Sequence, residues 1–150
     1  MKIRIDYVTN SSSSSFILGF PNEESIYTEL QKEKLGKYLN RIYKDCSAAN
    51  KLSYSEMIEY YGEAAQYDVR SDLRFDIGYE EYFKMKDNGT FDELWKTELE
   101  KRKKELEKQT KGNQVFVVLN YSDNNSLEDS YLEHHLVPSM SCCFSIIDHH

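Results

Sequence analysis

Apolar and polar residues alternate from Lys2 to Val8, with Ile3, Ile5 and Tyr7 on one side and Lys2, Arg4 and Asp6 on the other. A period of two is that of a half-buried strand. The run Phe16-Ile17-Leu18-Gly19-Phe20 predicts a second, more buried strand. Between them, Thr9-Asn10 and the block Ser11 to Ser15 predict a hairpin with a polar tip. Pro21-Asn22 opens helical territory, where Leu35, Tyr38, Leu39, Ile42, Tyr43 and Cys46 recur at threes and fours as one apolar stripe. Ser53-Tyr54-Ser55-Glu56 reads as a capping box, and Met57, Ile58, Tyr61, Ala64 and Ala65 carry that helix forward.

From Tyr67 to Tyr79 the period drops to two again: Tyr, Val, Ser, Leu, Phe, Ile and Tyr alternate with charges of both signs, which predicts a strand with a solvated or docking face. Tyr82, Phe83 and Met85 predict a short helix stopped at Asn88-Gly89. Thr90-Phe91-Asp92-Glu93 predicts the start of the longest helix, with Phe91, Leu94, Trp95, Leu99 and Leu106 as a narrow stripe. Val115-Phe116-Val117-Val118-Leu119, apolar on both faces, predicts a central strand of a covered sheet. A turn at Ser122-Asp123-Asn124-Asn125 leads to a short helix capped at Ser126-Leu127-Glu128-Asp129, running to about Leu136 and ended by Pro138. A last strand, Cys142 to Ile147, runs into Asp148-His149-His150. This irregular order predicts a single α+β domain over residues 1–150, with a mixed sheet of about five strands covered by helices.

Composition narrows the setting. At 150 residues the chain needs no disulfides to bury an adequate core. Its three cysteines, Cys46, Cys142 and Cys143, do not form a secreted framework, so a cytoplasmic protein in a reducing compartment is expected. The charged start Met1-Lys2-Ile3-Arg4 lacks a signal-peptide core, and no run has the length of a membrane span. A net charge of −7 disfavours direct nucleic-acid and membrane binding. The basic run Lys101-Arg102-Lys103-Lys104 is surrounded by glutamates, as on a solvated helix face laced with ion pairs.

Chemistry concentrates at the end of the chain. All 4 histidines stand there as the pairs His134–His135 and His149–His150, beside Glu133 and Asp148. Asp123 follows the buried strand, so its carboxylate is expected at a sheet end. Imidazoles and carboxylates suit zinc, iron or manganese, and an open coordination position allows hydrolysis. Glu133, His134, His135, His149, His150 and Asp123 are therefore the candidate metal ligands, although their spacing matches no His-Glu-x-x-His signature. Neighbouring residues on a helix point about 100° apart, so each histidine pair offers one ligand easily. The cysteines are expected to pack. Ser11, Ser12, Ser13, Ser14 and Ser15 form a candidate anion loop, with a flexible polar tip as the plainer alternative. A homopolymeric run supplies neither the strained elbow nor the held base of a serine nucleophile.

The stretch Tyr7-Val8-Thr9-Asn10-Ser11-Ser12-Ser13-Ser14-Ser15-Phe16 resembles the opening of a set of uncharacterised bacterial and phage proteins, some of which also carry a late Glu-His pair and end on His-His. Glu133-His134 and His149-His150 occupy those places in this chain. The resemblance implies that the two ends belong to one functional unit, that the final histidines are native, and that a phage or mobile-element setting applies. It implies no reaction.

Two functions follow as expectations. One is a divalent-metal site with metal-assisted hydrolysis, acting on an unknown small molecule. The other is a non-enzymatic acidic binding or inhibitor protein with a protein partner, whose 12 tyrosines would supply interface area. A structural role with modifiable serines is a third.

Overall fold

The computed structural model describes residues 13–124 and 126–149. The strand expected over Lys2 to Val8, with Ser11, Ser12 and His150, lies outside the described residues. The chain divides into two compact units, one of Met1–Met57 with Thr110–His150 and the other of Ile58–Gln109.

The first unit is built on strands β1 (Ser13–Phe20), β2 (Val115–Ser122) and β3 (Cys143–His149), in the order β2-β1-β3 with both pairings antiparallel. Among the described residues this three-stranded antiparallel sheet replaces the expected mixed sheet of about five. The serines expected at a hairpin tip are strand residues from Ser13 onward, and Ser14 and Ser15 are buried. Their backbone amides are satisfied on both sides by β2 and β3, which a solvated loop could not offer.

β1, not β2, is the central strand. β2 lies beyond it, yet its two faces are covered, Val117 and Leu119 by the core and Phe116 by the edge-on Tyr54 ring. Its outer edge exchanges backbone bonds of 2.8 and 2.9 Å between Leu52 and Phe116. The register sets Ser14 opposite Tyr121 and Asp148, and Phe16 opposite Leu119 and Ile146, so these side chains share one face. On that face Phe16, Leu18, Phe20, Val117, Leu119 and Tyr121 form one core with residues of α1 (Ile26–Gln31), of α2 (Leu39–Ala48) and of the segment from Leu132 to Met140. Each such side chain contributes roughly 1.5–3 kcal/mol on burial.

α3 (Tyr54–Ala64) starts at the predicted capping box: Glu56 N–H donates to Ser53 Oγ at 3.2 Å, and Ser53 N–H donates to Glu56 Oε1 at 3.0 Å. The second unit then holds α4 (Gln66–Ile77), α5 (Tyr79–Asp87) and α6 (Thr90–Gln109). α4 overturns the expected strand over Tyr67 to Tyr79. Every second apolar position of that alternation also falls on a four-residue repeat, and Ala65, Val69, Leu73 and Ile77 form the inward side of a helix while Tyr67 and Phe75 are exposed. A helix satisfies its own backbone, whereas a lone strand needs a neighbour. Gly78, at φ +84°, ends it. The basic run of α6 is paired, with Arg102 bonded to Glu98 and Asp72, and Lys103 to Glu100. No helix among the described residues is long and apolar enough to cross a membrane.

Candidate metal centre

The site begins with a cap. Ser126 Oγ accepts from Asp129 N–H at 3.0 Å and starts α7 (Leu127–Tyr131). Instead of ending near Leu136, the helix widens into a π turn, Leu132–Leu136, closed by Val137 N–H on Leu132 O, and continues as α8 (Val137–Ser139). Pro138 thus lies in the first turn of a new helical segment, where its missing amide costs nothing, rather than at a stop. π turns are rare and concentrate at functional sites. Here the wider turn lets consecutive side chains converge: Glu133 Oε2 lies 3.5 Å from His134 Nε2.

Asp123, just past β2, completes the group, with Oδ2 3.5 Å from the same His134 Nε2. One ligand atom from each of Asp123, Glu133 and His134 lies within 4.8 Å of the others. Glu133 is fully buried, and His134 and Asp123 are partly buried. Ser14 joins a further carboxylate to the set. Its hydroxyl lies 3.0 Å from Glu133 Oε1 and 2.8 Å from Asp148 Oδ1. It has one proton to donate and two carboxylates to satisfy. Three carboxylates, Asp123, Glu133 and Asp148, thus gather near one imidazole and one hydroxyl.

Among the described residues, the remaining candidates go elsewhere. Ser15 points away from Ser14 across the sheet, where its hydroxyl donates to Asn120 Oδ1 and lies 2.7 Å from His149 Nε2. His149 is therefore engaged with Ser15, on the face opposite Ser14, Tyr121 and Asp148. His135 is exposed and lies between Tyr131, tilted at 5.7 Å between ring centres, and His134, edge-on at 6.4 Å. Ser14 and Asp148 are the site residues that sequence reasoning left off its ligand set. Their signal was the strand alternation that separates Ser14 from Ser15 and Asp148 from His149.

A charged clamp steadies α7. Arg41 of α2 bonds Asp45, Glu128 and Asp129, each at 3.0 Å, and Tyr121 Oη donates to Asp45 at 2.7 Å. Burial opposes the Arg41 charge, but these carboxylates outweigh it and raise the guanidinium above its ordinary value. Burial, helped by Asp45, likewise raises the Tyr121 hydroxyl. Cys46, Cys142 and Cys143 form no disulfide. Burial pushes the Cys46 thiol up to about 12 and raises that of Cys142. These are packing thiols rather than thiolate ligands.

Compared with protein-family profiles, curated proteins and solved structures, the chain finds no match.

Proposed function

We propose that the protein binds a divalent metal ion, zinc, iron or manganese, through Asp123, Glu133 and His134, with Asp148 tied to the set by Ser14. The observation that carries this reading is the convergence of Asp123, Glu133 and His134 to within 4.8 Å on a π turn, with Glu133 wholly inside the protein. One nitrogen and two carboxylate oxygens are a borderline-to-hard donor set, suited to those ions. A bound ion there would supply a Lewis acid and an acidified water, the requirements of metal-assisted hydrolysis. Asp148, more exposed than Glu133 and anchored by Ser14, is the carboxylate best situated to accept a proton. The serine block resembles that of phage and bacterial proteins, which supports a mobile-element setting.

The test is metal analysis of untagged protein purified without added metal, followed by Mn²⁺ and Zn²⁺ titration. One ion per chain, lost in Asp123→Ala/His134→Ala, supports the reading. Absence of stoichiometric binding by the wild type rejects it.

A second reading, a non-enzymatic binding or inhibitor protein, rests on a separate observation. In the second unit Phe75 is 88% exposed and Tyr79 79% exposed, beside a cleft lined by Ser71, Arg74, Gly78 and Tyr82. Large open aromatic groups of this kind mark interaction sites. Phe75→Asp/Tyr79→Asp would abolish capture of a partner while leaving metal binding unchanged.

A further inference from the structure

We infer that the exposed aromatic face of the second unit is where two copies of this chain meet, their α5 helices packed antiparallel across a two-fold axis at Phe83. The inference goes beyond both readings above, since it needs neither a metal nor a foreign partner.

The face forms at the junction of α4 and α5. Gly78, at φ +84°, turns the chain between them. Phe75 from the last turn of α4 and Tyr79 from the start of α5 thereby line one cleft of about 470 Å³, with Ser71, Arg74 and Tyr82. Tyr82 belongs to the inward side, edge-on to Phe91 at 4.9 Å, with the Arg74 guanidinium 5.7 Å from its ring centre. Phe75, Tyr79 and Phe83 are turned outward and are 88%, 79% and 53% exposed. Tyr79 and Phe83 stand one helical turn apart, with ring planes 26° from parallel. A contiguous apolar patch of this kind marks an interaction surface. Aromatic side chains remove roughly 150–250 Å² each from water when covered. A two-fold axis counts every ring twice, so these three supply most of the roughly 1,200 Å² of the smallest stable interfaces.

Two features single out a second copy as the occupant. A contact between identical surfaces needs a projection and a recess on the same surface, and Phe75 projects beside the cleft. The charges on α5 are also self-complementary: Glu80 and Glu81 open the helix, and Lys84 and Lys86 close it. Glu80 and Lys86 stand three residues before and three after Phe83, on the same side of the helix, and both are exposed. Antiparallel pairing about Phe83 therefore sets Glu80 of each copy against Lys86 of the other. A partner carrying one sign of charge would gain at one end of α5 and be repelled at the other.

The experiment follows the oligomeric state of the full-length protein by sedimentation velocity over a concentration series, with circular dichroism to confirm that each variant is folded. Wild type should dimerise with a dissociation constant of about 1–100 μM. Glu80→Lys and Lys86→Glu, each alone, should weaken dimerisation by roughly tenfold or more, because each sets like charges in contact. The double variant Glu80→Lys/Lys86→Glu should return to within about threefold of wild type, since the two effects are coupled. Phe75→Ser should weaken the dimer by roughly thirtyfold or more. A wild type that is monomeric at about 100 μM overturns the inference and leaves the face to the protein partner of the second reading. A dimer indifferent to Phe75→Ser, or one whose single charge reversals are not restored by the double variant, overturns it as well. None of these outcomes bears on the metal reading, whose ligands lie in the other unit.

Discussion

Ser14 has one hydroxyl proton and two carboxylate neighbours, and this imbalance is where the site can be probed by single substitutions. Glu133→Gln removes a buried carboxylate that is also a candidate metal ligand. It should weaken metal binding more than tenfold, because a neutral amide is a poorer ligand for a divalent ion than a carboxylate. Calorimetric titration reads the effect directly, and undiminished metal affinity in the variant would contradict the assignment of Glu133. Ser14→Ala should cost about 1–3 kcal/mol in denaturant unfolding, because it leaves buried carboxylate oxygens without their hydroxyl. A third prediction concerns Cys46, whose thiol is raised from an ordinary value of 9.0 to about 12 by burial. The neutral thiol is the folded form, so its contribution to stability is complete below 9.0 and is lost as pH rises towards about 12. Alkaline destabilisation between those values should be shallower in Cys46→Ala, as followed by circular dichroism. In the sequence, five identical serines cannot be told apart. Strand alternation is what assigns Ser14 to the carboxylates and Ser15 to His149.

Among the elements, β1 has no room for a larger side chain at Gly19. A Cβ at Gly19 would come within 2.8 Å of the Phe116 ring and 2.9 Å of the Phe144 ring. Gly19→Ala should therefore destabilise the protein by about 1–3 kcal/mol through overpacking, read as a shift in the urea midpoint. Tyr67 to Tyr79 shows how a period can mislead. Residues spaced by two include residues spaced by four, so Val69, Leu73 and Ile77 serve a helix as well as a strand. Backbone satisfaction settles the choice, because among the described residues no strand pairs with this segment. Two of the three capping signals were legible, while at Thr90, expected to form a box with Glu93, the N–H and hydroxyl donate to Asn88 Oδ1. Ser53 with Glu56, and Ser126 with Asp129, each form their expected bonds, since a cap depends only on atoms three residues away.

For the molecule as a whole, metal should act as a folding ligand of the unit that contains the sheet. At a free concentration of 100 times its dissociation constant, a bound ion adds about 2.7 kcal/mol to stability. Melting temperature should rise with added Mn²⁺ and fall on chelation in wild type, and neither should occur in Asp123→Ala/His134→Ala; a wild-type melt indifferent to metal would count against the site. The sequence by itself determined the α+β class, the helix caps, the buried character of Phe16 to Phe20 and Val115 to Leu119, and the concentration of ligand chemistry near the end of the chain. Those features arise from neighbours within a few positions, where propensity and spacing act directly. Only the tertiary structure decided which chemistry meets. The antiparallel pairing of β1 with β3 sets Ser14 against Asp148, the register with β2 brings Asp123 to the same end, and the π turn rotates Glu133 and His134 together. The same pairing sends His149 to the opposite face, because a strand turns successive side chains to opposite sides, and only the partner strand determines what each of them finds there.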